Sequence, residues 1–165
     1  MPIFHLKFPH MKHEENSIRG AVYADEHGFT KIDLDLQMTK DRVIVVTHWR
    51  RPMRRDGFAS IGRRLDPDTP IGQLTWAQVQ MLRTHDGYRI RRVEKMLKVC
   101  ARRGLIALLE PKTKRFAADW VWEHITSVAD DVGADIEARA LRSHGGEETM
   151  DAARRHNVKA TVMNG

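Results

Sequence analysis

Two acidic residues alternate with apolar residues in one short stretch of the chain. Asp33 and Asp35 flank Leu34, and this alternation predicts a β-strand on which both carboxylates point to the same face. Two like charges about 7 Å apart repel each other unless a cation or protons lie between them. Because Mg²⁺ and Ca²⁺ prefer carboxylate oxygens, the pair predicts a divalent metal site.

A second apolar run follows after a short polar turn and ends in a histidine. Residues 43–47 are all β-branched, which is typical of a strand that is buried on both faces. This strand would deliver His48 at its C-terminal end, next to Trp49. An imidazole titrates close to neutral pH, so His48 is a candidate acid or base beside the metal site.

Two further strands are expected to carry charged groups on one face. Residues 105–109 are apolar and continue as Glu110-Pro111-Lys112, in which the acid and the lysine share a face. Near the N-terminus, residues 2–8 predict a strand on which His5 and Lys7 share a face. The candidate acids, bases and cations thus fall on separate strands.

Strand and helix patterns alternate along the whole chain. Asn16 or Ser17 can cap a helix that runs to about Glu26, and Thr75 begins another helix with a capping-box pattern. The alternation predicts a single α/β domain over residues 1–165, with a parallel sheet of about six strands. The other expected elements are helices at 93–103, 116–132 and 147–156 and strands at 135–141 and 158–163.

Hydrophobic residues at helical spacing predict which helix faces are buried. Val93, Met96, Leu97 and Cys100 form one stripe, and Gly104 follows as a helix end. The helix-borne tryptophans are also expected in the core; they are Trp76, Trp120 and Trp122.

Composition and charge limit the class of protein. The chain has 165 residues, of which 41% are hydrophobic and 30% charged, which is typical of a folded domain. No apolar run is long enough to span a membrane, no signal peptide is recognisable, and one cysteine excludes an internal disulfide; we therefore expect a cytoplasmic protein. A net charge of +6, with many arginines in the long connection 50–72, favours an anionic partner.

Taken in order, these motifs resemble the glycerophosphodiester phosphodiesterase family. The shared features are a strand ending in His, Glu-Asn-Ser at a helix start, an acid-x-acid strand, Thr-Lys-Asp, a hydrophobic strand ending in His, and Leu-Leu-Glu-Pro-Lys. The resemblance covers residues 3–112 well and is weaker afterwards, although residues 158–164 are similar to a late strand of the family. It implies a TIM-type (β/α) barrel.

The resemblance also implies roles for individual residues. Asp33, Asp35 and Glu110 would bind a divalent metal, Mg²⁺ or Ca²⁺, and His5 and His48 would act as acid and base. Substrate contacts are expected from Lys112, Lys7 and Trp49, and supporting contacts to the metal ligands from Glu15 and Asn16.

The sequence departs from the family pattern in three places. The family motif His-Arg-Gly reads His5-Leu6-Lys7 here, its Glu-x-Asp reads Asp33-x-Asp35, and its His-Asp reads His48-Trp49. With about six strands visible instead of eight, the barrel is expected to be shortened or incomplete.

Three functions are compatible with these features. The first is a metal-dependent phosphodiesterase acting on glycerophosphodiesters or a related small or lipid-derived phosphodiester. The second is a catalytically impaired, barrel-derived binding protein for phosphate esters. The third, ranked last because no nucleic-acid motif is present, is a basic nucleic-acid-binding protein. A shortened barrel leaves open strand edges, which suggests a homodimer.

Overall fold

A seven-stranded sheet is the centre of the computed structural model, which describes residues 3–4, 16–55, 57–62 and 64–164. In chain order the strands are β1 (Ile3–Phe4), β2 (Lys31–Met38), β3 (Ile44–Val46), β4 (Ala59–Ser60), β5 (Leu82–Arg83), β6 (Arg91–Arg92), β7 (Ile106–Pro111), β8 (Ile136–Leu141) and β9 (Lys159–Met163). The helices are α1 (Ile18–Glu26), α2 (Pro52–Arg55), α3 (Trp76–Val79), α4 (Val93–Arg103), α5 (Asp119–Val132) and α6 (Gly146–Arg155).

The long strands of the main sheet are parallel, with one exception. The strand order is β6-β3-β2-β7-β8-β9, with β1 paired to β2, and each pair between β2 and β9 along this order is parallel. The prediction of a parallel sheet is wrong for β3, which runs antiparallel to β2. Only residues 39–43 lie between these strands, whereas a parallel crossover needs about a dozen residues or more.

The sheet is open in the part of the chain that the structure describes. The six predicted strands are all represented, and β6 adds a seventh. Strands β6 and β9 stand at the two ends of the order, and no pairing between described residues joins them. The α/β class is confirmed, and the open sheet agrees with the expected shortened barrel.

The main hydrophobic core lies between the sheet and four helices. Buried side chains of α1, α4, α5 and α6 form one cluster with those of the sheet. The predicted stripe of α4 is confirmed, because Val93, Met96, Leu97 and Cys100 are all fully buried. Burial of each large aliphatic side chain contributes about 1.5–3 kcal/mol. Gly104 ends this helix in the left-handed conformation, at φ 63°.

A second hydrophobic cluster lies under the segment between β3 and α4. The capping box at Thr75 is confirmed, but α3 ends at Val79 and the chain then enters β5, which pairs with β4. The predicted connection 50–72 contains α2 and β4, and a 3₁₀ turn at Ile71–Gln73 begins at its end. The buried members of this cluster are Val45, Phe58, Ile71, Leu74, Val79, Leu82 and Ile90.

Helix α5 buries only one of its two tryptophans. Trp122 is fully buried, and its indole N–H donates to the Phe116 carbonyl at 2.8 Å. Trp120 is 37% exposed, so the prediction of a core position is wrong for it. Two residues advance a helix by about 200°, so these tryptophans face opposite sides.

None of the helices in the described ranges combines the length and the apolar character needed to cross a membrane.

Candidate active site

Three carboxylates converge on one face of the sheet. The parallel pairing of β2 with β7 sets Asp35 opposite Glu110, and Asp33 lies two residues earlier on the same face of β2. One oxygen from each residue lies within 4.8 Å of the others. Asp35 and Glu110 are 4% and 5% exposed, so water screens their charges poorly. We call these three residues the carboxylate cluster.

An arginine that the sequence reasoning missed binds this cluster from the neighbouring strand. Arg139 lies on β8, where its Nη2 is 2.5 Å from Asp33 Oδ2 and its Nε is 3.1 Å from Glu110 Oε2. The alternation of Glu137 and Arg139 along β8 places both on one face, and that pattern was the available signal. This alternation identifies Arg139 as a partner of the carboxylate cluster only when the register of β8 against β7 is known.

Lys112 is the second cation of the site. Its Nζ is 2.6 Å from Asp35 Oδ1, and it also donates to Glu110 Oε1. Burial favours the neutral amine, but the negative charges of Asp35 and Glu110 outweigh it and raise the pKa of Lys112. This lysine therefore stays protonated. It lies beside two of the three carboxylates, as its shared face with Glu110 predicted.

Asn16 holds Asp35 with both ends of its amide. Its Nδ2 donates to Asp35 Oδ2 at 2.8 Å, and its Oδ1 accepts from the Asp35 backbone N–H at 2.8 Å. The Tyr88 hydroxyl donates to the Asn16 carbonyl at 2.6 Å. Asn16 directly precedes Ser17, the N-cap of α1, so the start of this helix is fixed against β2. Asn16 thus contacts one of the three predicted metal ligands, and its supporting role stays a prediction.

Among the described residues, the carboxylate cluster contains more acidic groups than basic partners. When all three carboxylates are ionised, they face two cations among the described residues, Lys112 and Arg139. Burial and the nearby charge of Asp35 raise the pKa of Asp33 to about 7, although Arg139 opposes the shift. A carboxyl group that is partly protonated near neutral pH lies in a region of negative potential, and a bound cation could take the place of the proton. The all-oxygen donor set fits Mg²⁺ or Ca²⁺.

The predicted histidine follows closely on β3, one residue after Thr47. The Thr47 backbone N–H donates to the Asp35 carbonyl at 2.9 Å, which brings the end of β3 beside Asp35. The following His48 stacks on Trp49 with ring centroids 4.5 Å apart and an interplanar angle of 13°. The Gln37 side chain donates to the His48 carbonyl at 3.2 Å. Gln37 thus holds the His48 backbone, and the Trp49 ring lies against the His48 imidazole.

Three of the predicted site residues lie outside the described residues. They are His5, Lys7 and Glu15.

An open cavity of about 450 Å³ lies beside the carboxylate cluster, at the C-terminal ends of β2 and β7. Lys112 and Gln37 belong to its wall, so the cavity and the cluster share Lys112. The other basic residues of the wall are Arg50, Lys114, Arg115 and His144. We call this space the basic cavity.

The fold and the site define an open α/β sheet of barrel type with an acidic cluster on its parallel strands. The neighbouring basic cavity lies at the C-terminal ends of the strands, where (β/α) barrels carry their active sites. Residues 7–153 match the glycerophosphoryl diester phosphodiesterase family, and the chain belongs to that family. None of the curated proteins matches the chain.

Solved structures share this fold at low sequence identity. A glycerophosphodiester phosphodiesterase from Parabacteroides distasonis is 18% identical, with a TM-score of 0.69 over 91% of this chain and 58% of its own. An Oleispira antarctica phosphodiesterase, in complex with the product sn-glycerol-3-phosphate, is 14% identical with a TM-score of 0.69 over 92% and 61%. A Thermotoga maritima enzyme is 21% identical with a TM-score of 0.53 over 89% and 66%. The present chain thus spans about three fifths of the first two.

Proposed function

We propose that the chain is a metal-dependent phosphodiesterase that hydrolyses glycerophosphodiesters or a related small or lipid-derived phosphodiester. The observation that carries this proposal is the convergence of Asp33, Asp35 and Glu110 within 4.8 Å. Membership of the family supports the same reaction. The Oleispira antarctica structure, which contains sn-glycerol-3-phosphate as product, supports a glycerol phosphate product here as well.

In this proposal the carboxylate cluster holds Mg²⁺ or Ca²⁺. A bound ion would neutralise the charge that develops on the phosphoryl oxygens. Lys112 supports the same task, because its ammonium group contacts the cluster and also borders the basic cavity. The other proposed substrate contacts come from Lys7 and Trp49. The proposed metal ligands are held in position by Glu15 and Asn16.

The acid–base steps are assigned to His5 and His48. Hydrolysis of a phosphodiester requires that one group removes a proton from the attacking hydroxyl and that another donates a proton to the leaving alkoxide. The stacking of His48 on Trp49 supports this role, since it restricts the orientation of the imidazole ring. Either histidine can act first as the base.

The direct test is the release of glycerol phosphate from glycerophosphodiesters with Mg²⁺, with Ca²⁺ and with a chelator. We expect activity only with metal, and its loss in Asp35→Asn and in His48→Ala. Matched controls are Asp130→Asn and His85→Ala, which change exposed residues of the same types. Full activity of both site variants would exclude the proposed mechanism.

A binding protein without turnover is the second candidate, and Arg139 is the observation that favours it. This guanidinium contacts two of the three carboxylates that a metal would need. Metal binding with no hydrolysis across a panel of phosphodiesters would support this candidate. Hydrolysis of any of these diesters would exclude it.

We also propose a cytoplasmic protein that forms a homodimer. Strand β9 stands at one end of the sheet and pairs only with β8 among the described residues, so a second copy could cover its edge. Light scattering tests this, and a monomer at micromolar concentration would exclude the dimer.

A further inference from the structure

The basic cavity is large enough for a second chemical group of the substrate. Its volume of about 450 Å³ lies within the range of small-molecule sites, roughly 300–1,000 Å³. It extends from Lys112, at the edge of the carboxylate cluster, to Ser143 and His144 after β8. A group that occupies it would therefore lie next to the proposed reaction centre.

The cations of this cavity, other than Lys112, have no acidic partners among the described residues. The wall contains Arg50, Lys114 and Arg115 but no described aspartate or glutamate. The Arg115 guanidinium donates to the carbonyls of Met38 and Thr39, which fixes its position without neutralising its charge. Three positive charges in one cavity wall attract an anion.

Two polar atoms in the same wall are buried without a hydrogen-bond partner among the described residues. They are Thr113 Oγ1 and His144 Nδ1. Buried polar atoms are nearly always paired, and those that are not commonly mark the position of a water or a ligand. A hydroxyl and an imidazole nitrogen can both donate to a phosphate oxygen.

The side chain of Lys114 is held in place by the loop after β8. Gly145 has φ +75°, and a Cβ atom at this position would lie only 2.7 Å from Lys114 Cγ. The absence of a side chain at Gly145 therefore allows the stem of Lys114 to pack against the loop. The stem of Lys114 thus packs against Gly145, and the side chain is part of the cavity wall.

We propose that the basic cavity binds a second phosphate of the substrate, so that the preferred phosphodiester carries a phosphate monoester on one of its two alcohols. This inference rests on the proposed function. The reacting diester would lie at the carboxylate cluster, and the monoester would contact Arg50, Lys114 and Arg115. Lys112 lies between the two phosphates and contributes charge to both.

The first test is the binding of glycerol 2-phosphate, measured by calorimetry in the presence of a chelator so that no metal contributes. The cavity variant combines Arg50→Ala with Lys114→Ala, both exposed residues whose removal leaves the core intact. The control combines Lys95→Ala with Lys98→Ala, which removes the same charge from the exposed side of α4. We expect about tenfold weaker binding in the cavity variant and unchanged binding in the control.

The second test compares glycerophosphoglycerol with the same diester carrying a phosphate monoester on one glycerol. The wild-type protein should hydrolyse the phosphorylated diester with a higher kcat/KM, and the cavity variant should lose this preference while it keeps its activity on the other diester. Hydrolysis without preference would overturn the cavity assignment and leave the proposed function in place.

The two proposals fail in different ways. If neither diester is hydrolysed but glycerol 2-phosphate binding still depends on Arg50 and Lys114, the phosphate site stands and the enzymatic proposal fails. Equal binding by the wild-type protein and the cavity variant, or no binding by either, overturns the phosphate site.

Discussion

The carboxylate cluster and the basic cavity are neighbours that share Lys112. They differ in whether their charged side chains have partners of opposite charge. In the cluster, Lys112 and Arg139 each contact two carboxylates, and Asn16 donates to the Asp35 oxygen that Lys112 does not contact. In the cavity, Arg50 and Lys114 have no acidic partner among the described residues.

This difference separates groups that stabilise the fold from groups that are available to a ligand. A buried ion pair holds its members in place, and the loss of one partner leaves the other charge buried and unpaired. An exposed cation without a partner contributes little to stability and can bind an anion at small cost in desolvation. Substitutions in the cluster should therefore change stability and metal binding, and substitutions in the cavity should change ligand affinity.

The largest effect is expected for Arg139→Met, which removes the guanidinium and keeps an apolar side chain of similar length. Asp33 and Glu110 then lose their shared counter-ion, which should destabilise the metal-free protein by about 3–5 kcal/mol. Mg²⁺ should restore part of this loss, so the metal should stabilise the variant more than the wild-type protein. Urea unfolding with and without Mg²⁺ measures both quantities.

The control for this variant is Arg155→Met, which breaks the exposed ion pair with Asp119. Exposed pairs contribute about 0–1 kcal/mol, and this substitution should not change the response to metal. Equal destabilisation by the two variants would mean that Arg139 is not a structural part of the cluster.

The next largest effect is expected for Glu110→Gln. Two carboxylates would then face two cations among the described residues. With one negative charge fewer, the cluster would attract a divalent ion much less. We expect kcat/KM to fall by about 10²- to 10³-fold, together with loss of the Mg²⁺-induced rise in Tm. The exposed Glu123→Gln serves as the control. A retained rise in Tm would show that the metal binds elsewhere.

The parts of this site that could be predicted from sequence depend on local rules. Strand alternation put Asp33 and Asp35 on one face and Glu110 with Lys112 on another strand, and the helical stripe of α4 identified its buried residues. Such patterns hold because the direction of a side chain follows from the backbone of its own element.

The parts that could not be predicted depend on how separate elements meet. Arg139 reaches the cluster only because β8 pairs with β7 in a register that sets Ala138 beside Leu109. The direction of β3 depended on the length of one turn, and the basic cavity requires three strand ends to converge. No single stretch of sequence contains this information.

A smaller effect is expected for Asn16→Gly. Asn16 has φ 59°, a conformation that glycine adopts without strain, so this substitution removes the two amide contacts to Asp35 and leaves the backbone unstrained. Loss of such a contact to a metal ligand typically lowers metal affinity by about 10- to 100-fold. Calorimetric titration with Mg²⁺ measures the metal affinity of the variant.

Asn157→Gly is a closely matched control, because Asn157 is exposed and has φ 61°. Any effect of glycine on the backbone should be similar in the two variants. Equal Mg²⁺ affinity in both would show that Asn16 does not position Asp35 for metal.

The smallest effect is expected for Gly145→Ala, which acts on the basic cavity without removing a charge. The new methyl group would meet Lys114 Cγ and displace the lysine, while Gly133→Ala, at φ +68° with no atom within 4 Å, imposes similar backbone strain alone. Both variants should lose about 1–2 kcal/mol of stability, but only Gly145→Ala should weaken glycerol 2-phosphate binding, by about 1.5- to 5-fold. If the two variants bind glycerol 2-phosphate equally, the cavity attracts phosphate through its summed charge and not through a positioned Lys114. The affinity should then fall steeply with ionic strength, since charges more than about 8–10 Å apart are screened at physiological salt.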